Sequence, residues 1–149
     1  MEDLARVETI LRQKGGAVYS VRPEETVFHA IRIMKEKDIG AVLVMGEGRL
    51  TGILSERDYA RKAAFEGRDS RATPVHDICT RVVVTVSPET TVRECLQLMT
   101  DRRLRHLPVV EGDKVVGVVS IGDLVKWLIN ALTARIDQLQ AYISGGYPS

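Results

Sequence analysis

The stretch Gly52-Ile53-Leu54-Ser55-Glu56-Arg57-Asp58 decides the fold of this chain, because it returns in the second half as Gly117-Val118-Val119-Ser120-Ile121-Gly122-Asp123. A second stretch, Pro23-Glu24-Glu25-Thr26-Val27, returns with the same separation as Pro88-Glu89-Thr90-Thr91-Val92. A period this long, present only twice, indicates two copies of one supersecondary unit rather than a solenoid.

The repeat extends well beyond these two motifs. Aligning residues 18–62 on residues 83–127 needs no gap and gives 11 identities in 45 positions. Unrelated sequences of average composition would match at roughly one position in sixteen. Because each copy alone is near the size at which a hydrophobic core is marginal, we expect the copies to pack on each other about a pseudo-twofold axis and to share a groove.

The bulk composition is that of an ordinary globular protein. The 149 residues are 44% hydrophobic and 28% charged, with a net charge of +1, which argues against a nucleic-acid-binding tail or an acidic solvating domain. No apolar run reaches the length of a membrane span, and the acidic start lacks the apolar core of a signal peptide. We therefore expect a soluble, cytoplasmic protein.

The two cysteines, Cys79 and Cys95, are too far apart in the sequence to form a C-x-x-C pattern. Cys95 aligns with Ala30, which predicts a small buried apolar side chain. The histidines His29, His76 and His106 are not clustered, and we expect His29 and His76 at the surface. Neither a disulfide, a structural zinc nor any other metal site is therefore expected.

Hydrophobic periodicity predicts the same order of elements in both units: strand, helix, strand, strand, helix. This is an α+β (α/β) fold, and the second unit begins its helix with the capping box Thr91-Val92-Arg93-Glu94. An additional helix is predicted over Leu4–Leu11, ended by Gly15-Gly16. The predicted division of the chain is an N-terminal helix (1–16), a first unit (17–67), a linker (68–78), a second unit (79–128) and a C-terminal helical extension (129–149).

The last helix overruns its counterpart in the first unit. It carries apolar residues at spacings of 4, 4, 3 and 4, namely Leu128, Leu132, Ile136, Leu139 and Ile143. The two terminal helices could pack on each other or on their own core. We favour a subunit interface, or a mixture of the two, because an unsatisfied apolar stripe marks a contact surface.

The motif Gly-φ-φ-Ser-x-x-Asp, where φ is apolar, has a structural and a functional interpretation. Ser-x-x-Asp is a capping box, and helix capping alone explains Ser55 with Asp58 and Ser120 with Asp123. A helix N-terminus also attracts phosphate, and a carboxylate one turn further on can accept hydrogen bonds from the hydroxyls of a sugar. The motif is therefore compatible with nucleotide binding.

The two motif copies, together with Leu104-Arg105-His106-Leu107-Pro108-Val109, resemble the cystathionine-β-synthase (CBS) domain family. Over about residues 18–127 the chain resembles a stand-alone tandem pair, called a Bateman module. The resemblance implies a regulatory, energy-sensing role in signal transduction through adenosine-containing ligands: AMP as the first candidate, ADP, ATP, NAD(H) or S-adenosylmethionine. It also implies a homodimer formed through the CBS units and the terminal helices.

The resemblance further implies a role for each site residue. Asp58 and Asp123 would bind ribose, and Ser55, Arg57, Ser120, Arg105 and His106 would bind phosphate. The adenine pocket would be formed by Val18, Ser20, Ile39 and Ile53 in one unit and by Val83, Thr85, Leu104 and Val118 in the other.

The two copies differ in their basic residues. Arg57 in the first motif corresponds to Gly122 in the second, and Arg105-His106 corresponds to Gly40-Ala41. Each groove would thus receive a basic group from a different wall. Gly40-Ala41 would have one of two effects on the first groove. It would either leave room for a larger ligand or weaken the binding of phosphate there.

Three functions remain to be weighed. The favoured one is a nucleotide-binding regulatory module without catalysis, since no nucleophile–base pair, Walker A loop or G-x-G-x-x-G fingerprint is present. An enzyme acting on a nucleotide would need a metal cluster or an activated base. A structural dimerisation or adaptor protein with unoccupied grooves would need only the helix caps. The partner that responds to the module would be an unknown target protein, with no membrane and no nucleic acid involved.

Overall fold

The computed structural model describes residues 5–146. Its elements, in chain order, are α1 (Val7–Lys14), β1 (Ser20–Val21), α2 (Val27–Lys37), β2 (Ala41–Gly46), β3 (Arg49–Ser55), α3 (Glu56–Asp58), α4 (Val92–Arg102), β4 (His106–Glu111), β5 (Lys114–Ser120) and α5 (Ile121–Ala141). Helix α3 continues as a π-helical stretch (Tyr59–Ala64), α5 ends in another (Tyr142–Gly146), and a 3-10 turn spans Val75–Asp77. The predicted mixture of helices and strands in two units is confirmed. The predicted helix residue Leu4 lies outside the described residues.

The two sheets have the same hairpin but differ at their first strand. In the first unit β1 pairs in parallel with β2, and β2 pairs in antiparallel with β3. In the second unit β4 pairs with β5, but the expected strand near Val83 is reduced to one parallel bridge between Val86 and Val109. The first strand of the second unit is therefore present only as this bridge. Thr80 exchanges two 2.9 Å backbone hydrogen bonds with Ile53, so the chain is still paired with the first sheet shortly before it reaches Val86.

Each unit has its own hydrophobic core. The first consists of Val21, Val27, Ala30, Met34, Val42, Val44, Leu54, Ala63, Val75 and Ile78, and the second of Val7, Ile10, Val86, Val92, Cys95, Met99, Leu107, Val109, Val119 and Leu124. Cys95 is fully buried, as predicted, and burial raises the pKa of its thiol to about 11. An interior cysteine of this kind acts as a small apolar side chain.

The N-terminal helix belongs structurally to the second unit. Val7 of α1 donates a backbone hydrogen bond to Thr90, and Val92 donates one back to Ala5. In the first unit the 3-10 turn makes the same exchange, because Val75 donates to Glu25 and Val27 donates to Thr73. The segments Val7-Glu8-Thr9-Ile10-Leu11 and Val75-His76-Asp77-Ile78-Cys79 are therefore structurally equivalent, although the gapless alignment includes neither of them.

Two glycines allow these equivalent segments to approach the sheets closely. A Cβ atom on Gly52 would lie 2.9 Å from Cys79 Sγ, and one on Gly117 would lie 2.7 Å from Leu11 Cδ2. Real Cβ atoms do not approach other heavy atoms this closely, so both positions require glycine unless the neighbour moves. The glycine that opens each repeated motif thus has a packing role.

The apolar stripe of α5 differs from the predicted one at its start. Leu128 packs against the second core, and the exposed residues are Val125, Ile129, Leu132, Ile136, Leu139 and Ile143. We call these six residues the α5 stripe. Every residue from Leu132 to Ser144 is exposed, so the second half of α5 projects away from the core. Within the part of the chain that the structure describes, no helix combines the length and hydrophobicity needed to cross a bilayer.

Candidate functional site

A cavity of about 670 Å³ lies between the two units and is lined by both. The first unit contributes Ile53, Ser55, Arg57, Asp58, Arg61 and Lys62, the second contributes Arg103, Leu104, Arg105 and His106, and Gly40, Glu56 and Thr80 complete the lining. We call this cavity the Asp58 groove. Seven of the predicted site residues meet in it: Ile53, Ser55, Arg57, Asp58, Leu104, Arg105 and His106.

The end of β3 fixes the position of Asp58. Ser55 is the N-cap of α3: the backbone N–H of Asp58 donates to Ser55 Oγ at 3.1 Å, and the backbone N–H of Ser55 donates to Asp58 Oδ2 at 3.1 Å. This reciprocal capping box fixes both side chains relative to the strand. The carboxylate therefore has a defined orientation at the wall of the groove.

The other oxygen of Asp58 has partners that a ligand could replace. Thr80 Oγ1 lies 3.3 Å from Asp58 Oδ1, and Lys62 Nζ also lies 3.3 Å from that oxygen. The Lys62 side chain is 46% exposed, and exposed ion pairs contribute only about 0–1 kcal/mol. Exchanging these contacts for the hydroxyls of a sugar would therefore require little free energy.

The groove is strongly basic although the chain as a whole is nearly neutral. Its lining includes Arg57, Arg61, Lys62, Arg103 and Arg105 but only two carboxylates, Glu56 and Asp58. The cations come from both units, since three belong to the α3 region and two lie between α4 and β4. An anion with several negative oxygens would be attracted to both walls at once.

The second motif has a different environment, because a lysine of the N-terminal helix contacts it. Ser120 caps α5 and forms the same capping box with Asp123. Lys14 Nζ lies 2.6 Å from Asp123 Oδ2 and donates a 2.8 Å hydrogen bond to the carbonyl of Val118. Burial by itself would raise the pKa of Asp123, but the hydrogen bonds from Lys14 and Ser120 outweigh burial and lower it.

His106 lies between the two motifs. Burial lowers the pKa of its imidazole below 6.5, although the nearby carboxylate of Asp123 acts in the opposite direction. A Cβ atom on Gly40 would lie 3.1 Å from His106 Nε2 and 3.2 Å from Glu56 Oε1. On the side of Gly40 where a Cβ atom would stand, the space is therefore taken by His106 and Glu56, although Gly40 also lines the Asp58 groove.

The remaining residues of the predicted adenine pocket do not lie together. Val18 and Ser20 line a separate cavity of about 440 Å³ beside the turn between β4 and β5, and Ile39 lines another next to Tyr59. Thr85 lines a depression beside α4. The backbone carbonyl of Val118 accepts a hydrogen bond from Lys14. Val83 is half-buried.

Sequence reasoning missed several residues of the Asp58 groove. Thr80 was assigned to the start of the second unit, and Arg61, Lys62 and Arg103 belong to ordinary charged helix ends in sequence. Lys62 could have been found, because it stands one helical turn after Asp58, where opposite charges pair. No sequence pattern links Lys14 to the second motif, because Lys14 is 109 residues away from Asp123 along the chain.

Comparison with known proteins agrees with this architecture. The sequence profile of the CBS domain family matches residues 11–64 and 75–130. The chain is 39% identical over 150 residues to the CBS domain-containing protein CBSX3, mitochondrial, of Arabidopsis thaliana, and the match covers 95% of this chain and 73% of that protein. The first matched range begins inside α1, in agreement with the structural equivalence of α1 and the 3-10 turn.

Two solved structures are also similar. One is a candidate signal-transduction protein with CBS domains from Burkholderia ambifaria MC40-6, with 45% identity and a TM-score of 0.82, covering 85% of this chain and 95% of that chain. The other is the hexameric CBS-CP12 protein from bloom-forming cyanobacteria, with 26% identity and a TM-score of 0.74, covering 97% of this chain and 87% of that chain. With its two repeated units and both profile matches, this chain belongs to the CBS domain family.

Proposed function

We propose that this protein is a regulatory module that binds an adenosine phosphate in the Asp58 groove and performs no catalysis. In this proposal the carboxylate of Asp58 accepts hydrogen bonds from the ribose, and Ile53 and Leu104 contact the base. Arg57, Arg105 and the neighbouring cations bind the phosphates. AMP, ADP, ATP and NAD(H) all carry the chemistry that this arrangement requires.

The observation that carries the proposal is the charge of the groove. Five arginine and lysine side chains face two carboxylates, so the lining has an excess of three positive charges. Arginine binds phosphate through two parallel hydrogen bonds, which adds geometric selectivity to the charge attraction. The same charge disfavours S-adenosylmethionine, because that ligand is itself cationic and has no phosphate.

The groove also suggests how binding could act on the rest of the molecule. Arg57 and Arg105 come from different units, so a phosphate held by both would favour one arrangement of the units over others. A ligand shifts such an equilibrium only through its different affinities for the two arrangements. The output would reach a target protein or another copy of the chain, and the similar CBS-CP12 protein is hexameric.

A structural adaptor with unoccupied grooves is the second candidate, and one observation favours it. The capping boxes of Ser55 with Asp58 and of Ser120 with Asp123 are both complete without a ligand. Helix capping thus accounts for the repeated motif without any ligand. The basic lining is the feature that capping does not explain.

A thermal-shift screen separates the two candidates. The panel contains AMP, ADP, ATP, NAD(H), S-adenosylmethionine and inorganic triphosphate, each incubated with the whole chain. At a hundredfold excess over the dissociation constant, binding adds about 2.7 kcal/mol to the free energy of unfolding. We expect a shift with the adenosine phosphates and a smaller one with triphosphate. An unchanged melting temperature across the panel would favour the adaptor, and a product detected after prolonged incubation would favour an enzyme.

A further inference from the structure

The exposed arginines of the Asp58 groove have no carboxylate partner. They are Arg57 and Arg61 from the first unit and Arg103 and Arg105 from the second. Within the described residues none of these arginines takes part in an ion pair, whereas Lys62, the remaining cation of the lining, is paired with Asp58. Arginines that share one cavity without a neutralising carboxylate indicate an anionic ligand of high charge.

Each wall of the groove carries two of these arginines in succession. Arg61 follows Arg57 by four residues, about one helical turn, so the two side chains are neighbours on one helix face. Arg105 follows Arg103 by two residues, which span at most about 7 Å of chain. One bidentate arginine from each wall already engages the three oxygens of a terminal phosphate. The second arginine of each wall is therefore left for a further phosphate.

Position in the sequence divides the arginines into an inner and an outer pair. The inner pair is Arg57 and Arg105, which directly precede the site residues Asp58 and His106. The inner pair is thus adjacent to the ribose-binding end of the groove. The outer pair consists of Arg61 and Arg103.

The carboxylates of the groove are poorly placed to hold a magnesium ion. Asp58 is engaged by its capping box and by Lys62, and Glu56 Oε1 lies beside Gly40 and His106. Proteins usually hold the Mg²⁺ of a nucleotide through one or two carboxylates together with the phosphates. In the part of the chain that the structure describes, no three metal-ligating side chains come together. The donor groups of the lining thus suit phosphate oxygens that carry no metal.

We propose that the Asp58 groove selects an adenosine polyphosphate free of Mg²⁺, with ATP preferred to AMP, and that Arg61 and Arg103 determine this preference. The preference rests on the function proposed for the groove, and it reverses the order of candidates, AMP first, that the family resemblance implies. Each further phosphate adds about one negative charge to the ligand. Bound Mg²⁺ cancels two of these charges and would bring a cation against the arginines, so Mg²⁺ acts as an antagonist of binding.

Isothermal titration of AMP, ADP and ATP into the whole chain tests the preference. Each nucleotide is titrated in EDTA and in excess MgCl₂ at the same ionic strength, because salt screens the attraction between arginine and phosphate. In EDTA we expect ATP to bind at least roughly tenfold more tightly than AMP, with ADP between them. Excess Mg²⁺ should weaken ATP binding at least roughly tenfold. It should affect AMP little, because a single phosphate offers Mg²⁺ fewer oxygens.

Two single variants test the outer pair. Arg61→Met and Arg103→Met should each weaken ATP binding in EDTA roughly tenfold and leave AMP binding unchanged, because the inner pair remains. Retained AMP binding also shows that the variant is folded. The matched control is Arg102→Met, which removes the same charge from the residue next to Arg103 but does not touch the lining.

The outcomes separate this preference from the function on which it rests. AMP binding as tight as ATP binding, ATP binding that Mg²⁺ does not weaken, or outer-pair variants that bind ATP as well as Arg102→Met does would overturn the preference and leave the proposed function standing. A chain that binds none of the three nucleotides would overturn both.

Discussion

Lys14 Nζ lies 2.6 Å from Asp123 Oδ2, although the two residues are near opposite ends of the chain. Asp58, the equivalent carboxylate of the first unit, instead contacts Thr80 and Lys62. The two motifs are thus alike in sequence and in their capping boxes but differ in what occupies the space beside the carboxylate. A ligand of the second motif would therefore have to displace Lys14 from Asp123.

Replacing Lys14 with methionine should free the second motif while preserving most of the packing of the side-chain stem. We expect the number of adenosine phosphates bound per chain to rise from one to two in isothermal titration calorimetry. The control is Arg12→Met, because Arg12 lies on the same helix and its side chain is 74% exposed. An unchanged stoichiometry in Lys14→Met would show that Lys14 does not block the second motif.

The Lys14 contact also predicts a dependence of stability on pH. The lowered pKa of Asp123 means that its carboxylate stabilises the fold above the ordinary value of 3.8, and this contribution disappears as the pH falls through the lowered value. Lys14→Met should reduce the free energy of unfolding at neutral pH by about 1 kcal/mol or less, since the Lys14 side chain is 37% exposed. Urea unfolding at neutral pH and at about pH 3 should give a smaller difference between the variant and wild type at the acidic pH.

Alanine at two glycines should have opposite effects on stability. Gly40→Ala places a Cβ atom 3.1 Å from His106 Nε2, and we expect a loss of about 1–3 kcal/mol from overpacking. A Cβ atom on Gly122 would make an ordinary van der Waals contact with Ser120 Oγ at 3.6 Å, so Gly122→Ala should stabilise α5 by about 0.5–1 kcal/mol. Urea unfolding measures both changes.

The contact with His106 can be isolated by a double-mutant cycle. If the ring causes the loss in Gly40→Ala, then His106→Ala in the same chain should recover part of it. Strictly additive effects of the two substitutions would contradict the contact between Gly40 and His106.

His106 should make ligand binding dependent on pH. Burial lowers the pKa of the free imidazole below 6.5, and a bound phosphate would raise it, so affinity should increase as the pH falls from about 8 to about 6. The charged groups that act on the imidazole are Asp123, Lys14 and Arg105. His106→Asn should remove this part of the dependence, leaving only the titration of the phosphate itself. Identical pH profiles for both proteins would exclude His106 from phosphate binding.

The free protein should respond to pH in the opposite sense. Because the folded state binds a proton on His106 less readily than the unfolded state does, the free energy of unfolding should decrease as the pH falls below 6.5. This decrease should be smaller in His106→Asn. Urea unfolding without ligand measures it.

The elements that could be predicted are those determined by residues close together in the sequence. The helix cap formed by Thr91 with Glu94 depends only on neighbouring residues, and the structure contains it. The equivalence of Val7 and Val75 was missed, because these residues are separated by a slightly longer distance along the chain than the two copies of the main repeat. Leu128 was placed in the exposed stripe because helical spacing alone does not show which side of a helix meets the core.

The distinction between signals from neighbouring residues and contacts between distant parts of the chain also applies to the candidate site. The structure brings Ser55, Asp58, Arg105 and His106 together because both copies of the repeat line one cavity. The alignment predicted this meeting and the difference in basic residues between the two copies. It could not reveal that Lys14 contacts Asp123, since that contact joins α1, outside the aligned residues, to the second unit.

Isothermal titration of ATP and AMP into wild type, Asp58→Asn and Asp123→Asn tests most directly whether the Asp58 groove is the binding site. Asparagine preserves the size of the side chain and removes its charge, and each variant serves as the control for the other. We predict one bound nucleotide per chain in wild type and in Asp123→Asn, and binding weakened at least roughly tenfold in folded Asp58→Asn. Undiminished affinity and stoichiometry in Asp58→Asn would contradict the assignment.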